Sequence, residues 1–198
     1  MIVKDHFLTG ERFEIKKVSD GVLTTLPKIN TKDLRSYYDS KNYHSHKSSK
    51  SLLSIFYDVS SRFMVWRKVK LTSRFSKNKK SILDFGCGRG GFLMSAKKAG
   101  FEVCGVDVIT ATHKELEAKN IKVYNKLESL SNPVNTITFW HSLEHINDVN
   151  QTLMLCRKFL KDKGILIVAV PNHDSFDAKH YKSFWAAYAV PRHRFHFN

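Results

Sequence analysis

Asp84-Phe-Gly86-Cys-Gly88-Arg-Gly90-Gly91 places four glycines within six residues, just behind an acid. Ile82, Leu83 and Phe85 around that acid make the short apolar run of a buried strand, and Phe92 to Ala99 is a good helix former that stops at Gly100. Strand, glycine turn and helix N-terminus bring backbone N–H groups to one point that a ligand can approach closely. A helix N-terminus favours negative charge, whereas Asp84 favours a positive group beside it. An amino-acid moiety, with its ammonium and carboxylate, carries both. Asp107 follows Gly86 by 21 positions and ends a second apolar run, the distance at which an acid reaches the ribose hydroxyls of a bound nucleoside.

A second set of reactive side chains follows two later runs. His141, Glu144 and His145 come after Thr136 to Trp140, and His173 comes after Gly164 to Val170, a buried strand broken by Pro171. His145 is the first candidate general base and His173 the second; Glu144 and His145 equally suit capping the next helix or holding the loop. His193 and His196 suit either a substrate-facing role or an aromatic–histidine packing cluster. His44-Ser-His46 lacks a third ligand nearby, and Cys87, Cys104 and Cys156 lack C-x-x-C spacing, so no metal and no disulfide framework is expected. That cysteine usage, an N-terminus unlike a signal peptide and the lack of an 18-residue apolar window point to a reducing, cytoplasmic setting without a membrane span.

The loop Asp84-Phe-Gly86-Cys-Gly88-Arg-Gly90 resembles the D-x-G-x-G-x-G cofactor loop of class I S-adenosylmethionine-dependent methyltransferases. Phe139-Trp-His-Ser-Leu-Glu-His145 resembles the fourth-strand segment of the small-molecule methyltransferases that include the ubiquinone-biosynthesis type. The resemblance runs from about Lys80 to Asn172. It implies S-adenosyl-L-methionine as cofactor, with Asp84, Gly86, Cys87, Gly88 and Gly90 at the methionine end and Asp107 on the ribose. Val108, Asn125, Trp140 and His141 complete the implied cofactor contacts, Asn125 standing where related enzymes line the adenine. The implied reaction is methyl transfer to a small-molecule acceptor, with O-, N- and C-methylation all open. A methyl sulfonium is already activated, so the principal task is in-line placement of a nucleophile; a hydroxyl nucleophile also calls for a base.

Two other functions compete. Gly86-x-Gly88-x-x-Gly91 also meets the dinucleotide-binding fingerprint of an NAD-dependent dehydrogenase, but Asp84 would repel a pyrophosphate. A non-catalytic or RNA-binding module on the same fold is suggested by charge. The chain holds 33 Lys+Arg against 18 Asp+Glu, a net charge of +15, and Arg62, Arg67, Lys68, Lys70, Arg74, Lys77, Lys79 and Lys80 form a run without an acid. As a helix face entering a linker, that run reads first as solvated surface, with few exposed aromatics for base stacking.

Strands alternating with helices from residue 80 onward predict an α/β fold, a Rossmann-like doubly wound parallel sheet with helices on both faces. Residues 1–50 read as an N-terminal β-hairpin and loop extension, Arg12 to Val18 turning at Asp20-Gly21 into Val22 to Leu26, with a short helix capped by Thr31. Residues 51–198 read as the methyltransferase domain. Leu52, Ile55, Phe56, Val59, Phe63 and Trp66 fall at helical spacing and predict a core-facing stripe over residues 51–75. Complete class I domains carry two strands after the fifth, so the resemblance implies that these last two strands are lacking and the fifth strand forms an exposed edge. It also implies that Val190 to Phe197 leads into a helix.

Overall fold

The structure, a computed structural model, describes residues 1–30, 33, 37, 52–76, 80–109 and 113–198, with backbone only for 52–57. The cap expected at Thr31 and the His44–His46 pair lie outside the described residues. Two compact units are present: 1–48 with 143–147 and 170–198, and 49–142 with 148–169.

In the first unit, β1 (Ile2–Lys4), β2 (Arg12–Ser19) and β3 (Val22–Leu26) form an antiparallel meander. Alternation along β2 turns Phe13 and Ile15 inward, where both are buried with Val3, Tyr188 and Val190. This is the period-2 pattern of a sheet with one solvated face.

The second unit runs α1 (Leu52–Phe75), β4 (Ser81–Phe85), α2 (Gly91–Lys98), β5 (Glu102–Val106), α3 (His113–Glu117), β6 (Lys122–Tyr124), β7 (Val134–Trp140), α4 (Val149–Phe159) and β8 (Leu160–Ala169). The five strands are parallel in the order β6-β5-β4-β7-β8. The order reverses at β4, flanked by β5 and β7, and ligands of such sheets bind outside the carboxyl ends of the strands at that point. Ile82, Leu83, Ile137 and Phe139 on the two central strands are fully buried. β8 is an edge strand, as expected.

One expectation is corrected. Val59, Phe63 and Trp66 do not face the core: they are 60%, 53% and 53% exposed, while Thr72 is buried and Val69 packs against the cluster formed by Ile82, Phe92 and Leu93. Apolar and basic residues alternate around α1, so helical spacing marked a row without showing which side met a neighbour. Aromatics are therefore exposed among the charges. Phe63 stacks on Trp66 at 5.7 Å, and Lys70 lies 5.6 Å from the Trp66 ring centre.

The tail after α5 (Phe176–Tyr181) ends in β9 (Phe195–Phe197), which pairs antiparallel with β3. The alternation Phe195-His196-Phe197 suits a strand, and β3 offered an edge with unpaired backbone groups. Side chains reinforce the join: Thr24 Oγ1 donates to Arg194 O at 3.0 Å and Thr25 Oγ1 to His193 O at 2.7 Å.

Candidate cofactor site

The loop after β4 folds through backbone conformations that favour glycine. Gly86 has φ 74°, and its N–H donates to Val106 O at 2.7 Å. A Cβ there would come within 2.6 Å of Ser142 Cβ, whose hydroxyl donates to Phe85 O at 2.6 Å. Gly90, at φ 70°, precedes α2, and a Cβ on it would fall on the Leu116 side chain. Gly88 differs. It also has positive φ (51°), but nothing among the described residues lies within 4 Å of where its Cβ would stand. Cys87 turns its side chain into the core, against Gly105, and burial pushes its thiol up to about 12. It is a neutral packing group, and its backbone N–H donates to Val106 O at 3.2 Å.

Asp84 is 4% exposed and accepts a hydrogen bond from Thr138 Oγ1 at 2.7 Å. Burial pushes its carboxyl up to about 7, against the lowering effects of the Thr138 bond and the Lys68 charge. The Lys68 ammonium, from α1, stands 5.2 Å from the Trp140 ring centre. Its own affinity for a proton is lowered by burial and raised by Asp84. Trp140 meets Phe92 edge-on at 5.6 Å, and its buried Nε1 has no hydrogen-bond partner among the described residues. Asp107, after β5, accepts from the N–H of Gly88 at 2.7 Å and of Ile109 at 2.8 Å, which fixes the carboxylate and ties it to the glycine loop. Val108 is 76% exposed, Asn125 and His141 are exposed, and His141 has φ 58°. The structure thus gathers Asp84, Gly86, Gly88, Gly90, Asp107, Val108, Asn125, Trp140 and His141 along the carboxyl edge of one sheet.

His145 and His173 belong to the other unit. His145 closes a short turn (Leu143–His145), with Nδ1 3.0 Å from Arg192 O. Its ring meets that of His193 edge-on at 4.6 Å, and His193 Nδ1 lies 2.9 Å from Ala187 O. Burial, with His145 and then His196 beside it, pushes His193 down to about 3; burial and His173 push His196 down to about 4. Both rings are therefore neutral near pH 7. His173 is held by its N–H to Phe197 O at 2.8 Å, and its ring Nε2 is buried without a hydrogen-bond partner among the described residues.

Sequence reasoning missed Lys68, Thr138 and Ser142, and it left His193 open between a substrate-facing role and packing. Lys68 was indistinguishable from its basic neighbours. Thr138 did carry a signal: Thr136 and Thr138 interrupt an apolar buried strand, and a buried hydroxyl needs a partner. The Lys68 charge helps hold Asp84 ionised, so Lys68→Met should move the onset of ammonium-ligand binding to higher pH. Titration with S-adenosylhomocysteine across pH 5.5 to 9 checks this; an unmoved onset would detach Lys68 from Asp84.

Residues 60–198 match a methyltransferase domain family. The chain is 29% identical over 149 residues to an uncharacterised protein of Methanocaldococcus jannaschii, a match covering 73% of this chain and 63% of that protein. It is 28% identical over 108 residues to a ubiquinone biosynthesis O-methyltransferase of Actinobacillus pleuropneumoniae, covering 47% of this chain and 46% of that enzyme. Among solved structures, magnesium protoporphyrin IX methyltransferase from Synechocystis, with S-adenosylhomocysteine bound, superposes with a TM-score of 0.59 at 15% identity, covering 85% of this chain and 83% of that one. That likeness is one of fold. The chain spans about half to two thirds of the length of these two sequence relatives.

Proposed function

The chain belongs to the methyltransferase-domain family, and we propose that it transfers a methyl group from S-adenosylmethionine to the hydroxyl of a small molecule. The carrying observation is a buried acid at the end of β4, directly before a glycine loop with positive φ at Gly86, Gly88 and Gly90. These residues fit the cofactor. Asp84 offers a negative group to an ammonium, Trp140 Nε1 offers a donor, and a dinucleotide pyrophosphate would meet an acid instead of a cradle. Asp84, Gly86, Cys87 (through its backbone), Gly88 and Gly90 would hold the methionine end. Asp107, already accepting two backbone N–H groups, keeps lone pairs for ribose hydroxyls. Val108, Asn125, Trp140 and His141 would border the nucleoside.

The bound cofactor supplies an activated methyl sulfonium. This chain's own work is to orient the acceptor and receive its proton. His145 and His173 are the candidate bases, and His173 suits the role better, because among the described residues its buried Nε2 lacks a partner, which an acceptor hydroxyl would provide. The O-methyltransferase relatives support a hydroxyl acceptor. Incubation with methyl-labelled cofactor and a panel of phenols, catechols and amines should label hydroxyl oxygens; labelled amines alone would overturn the hydroxyl assignment. His173→Asn should lower kcat by about 10²- to 10⁴-fold with S-adenosylhomocysteine affinity unchanged. An unaltered kcat would remove His173 from the role.

A second reading rests on α1, where Phe63, Trp66 and Phe75 are exposed among Arg62, Arg67, Lys70 and Arg74. Interleaved aromatic and basic side chains suit single-stranded nucleic acid. Binding to RNA oligonucleotides that weakens steeply with salt would support it.

A further inference from the structure

We infer that Glu144, His145 and His193 form a binding site for a single divalent transition-metal ion such as Zn²⁺. One ligand atom from each residue lies within 4.8 Å of the others. Two ligands come from the turn at Leu143–His145 and the third from 48 positions later in the chain. Arg194 N–H donates to Glu144 O at 2.8 Å and His145 Nδ1 lies against Arg192 O, so backbone contacts hold the two segments together on both sides of His193.

The orientation of the rings carries the inference. Nδ1 of His145 faces Arg192 O at 3.0 Å, and Nδ1 of His193 faces Ala187 O at 2.9 Å. A carbonyl oxygen only accepts, so Nδ1 carries the hydrogen in both rings, and in the neutral ring Nε2 presents its lone pair. Metal-bound histidines are fixed in this way, by donation from the second ring nitrogen to a carbonyl or carboxylate. Glu144 is 1% exposed, the burial of an inner-sphere ligand and not of a solvated surface acid. Bonds of about 2.0–2.2 Å place neighbouring tetrahedral ligand atoms roughly 3.4 Å apart, so a side-chain adjustment of about an ångström closes the site.

Two imidazoles and one carboxylate suit Zn²⁺, Co²⁺, Ni²⁺ or Fe²⁺ better than Mg²⁺ or Ca²⁺, which favour all-oxygen shells. Three protein ligands also leave a coordination position for water or an acceptor oxygen. The spacing rules that excluded zinc at the cysteines could not find this site, because its third ligand is remote in sequence.

The test uses the full chain, stripped with a chelator and titrated with Zn²⁺ by calorimetry and with Co²⁺ by visible absorption. The inference expects one equivalent bound and the intense bands of a Co²⁺ ion with fewer than six ligands. Glu144→Gln and His193→Gln should each weaken binding by about tenfold or more, while His180→Gln, at an exposed histidine, should not. Near-ultraviolet circular dichroism checks that the variants remain folded, and His145→Gln serves as a further variant if either does not. Absence of a stoichiometric site, or equal affinity in the wild type and every folded ligand variant, would overturn the inference. No methyl donor is used, so the outcome is independent of the proposed reaction.

Discussion

Asp84→Asn should weaken S-adenosylhomocysteine binding and, at the same time, make the ligand-free protein more stable at pH 8. The binding loss follows from the ammonium that Asp84 is proposed to receive. A hydrogen bond to a charged group contributes about 1.5–3 kcal/mol, so affinity should fall about 10- to 150-fold. The stability gain follows from burial. The carboxyl is raised from 3.8 to about 7 in the folded chain, so as pH rises the unfolded chain releases this proton first. The favourable contribution of the neutral acid is complete below about pH 4 and is lost as pH climbs to about 7, then levels off. A shift of this size corresponds to roughly 4 kcal/mol. The amide escapes most of that cost, and its oxygen still accepts from Thr138. Urea unfolding at pH 5 and pH 8, beside calorimetry, checks both halves. Loss of stability together with binding would mean that Asp84 is structural and not a ligand group.

Gly90→Ala should destabilise the second unit and disable the loop together. At φ 70° an L side chain adds roughly 1–2 kcal/mol of backbone strain. The new methyl must also displace the side chain of Leu116, which is 1% exposed, and such overpacking typically costs about 1–3 kcal/mol. Together these predict a fall in Tm of roughly 5–15 °C for a protein of this size. Gly88→Ala is the informative contrast. It carries similar backbone strain without the steric conflict, so it should lower Tm less and affect ligand affinity more. Equal thermal losses in the two variants would contradict the packing described between the loop and α3.

These contrasts show what was legible in the sequence. The sheet, the glycine loop and both acids were readable because their chemistry is local: alternating strands and helices set the topology, and spacing set the positions of Asp84 and Asp107. The face of α1 was not readable, since apolar residues at helical spacing name a stripe and not its neighbour. β9 was missed because three residues carry little pattern alone, and the strand forms by meeting the edge of β3. Lys68 was hidden for the same reason, since its partners Asp84 and Trp140 are distant in sequence. The resemblance drew attention to the glycine loop but gave no sign of the strand that side chains from β3 hold after Val190.

The most direct test of the central claim is calorimetric titration of the purified chain with S-adenosylhomocysteine at pH 8, run beside NADH. The buried acid and glycine loop predict one site per chain for the former and no binding of the latter. A folded protein that ignores S-adenosylhomocysteine, or that takes NADH in its place, would contradict the assignment of Asp84 and the loop to this cofactor.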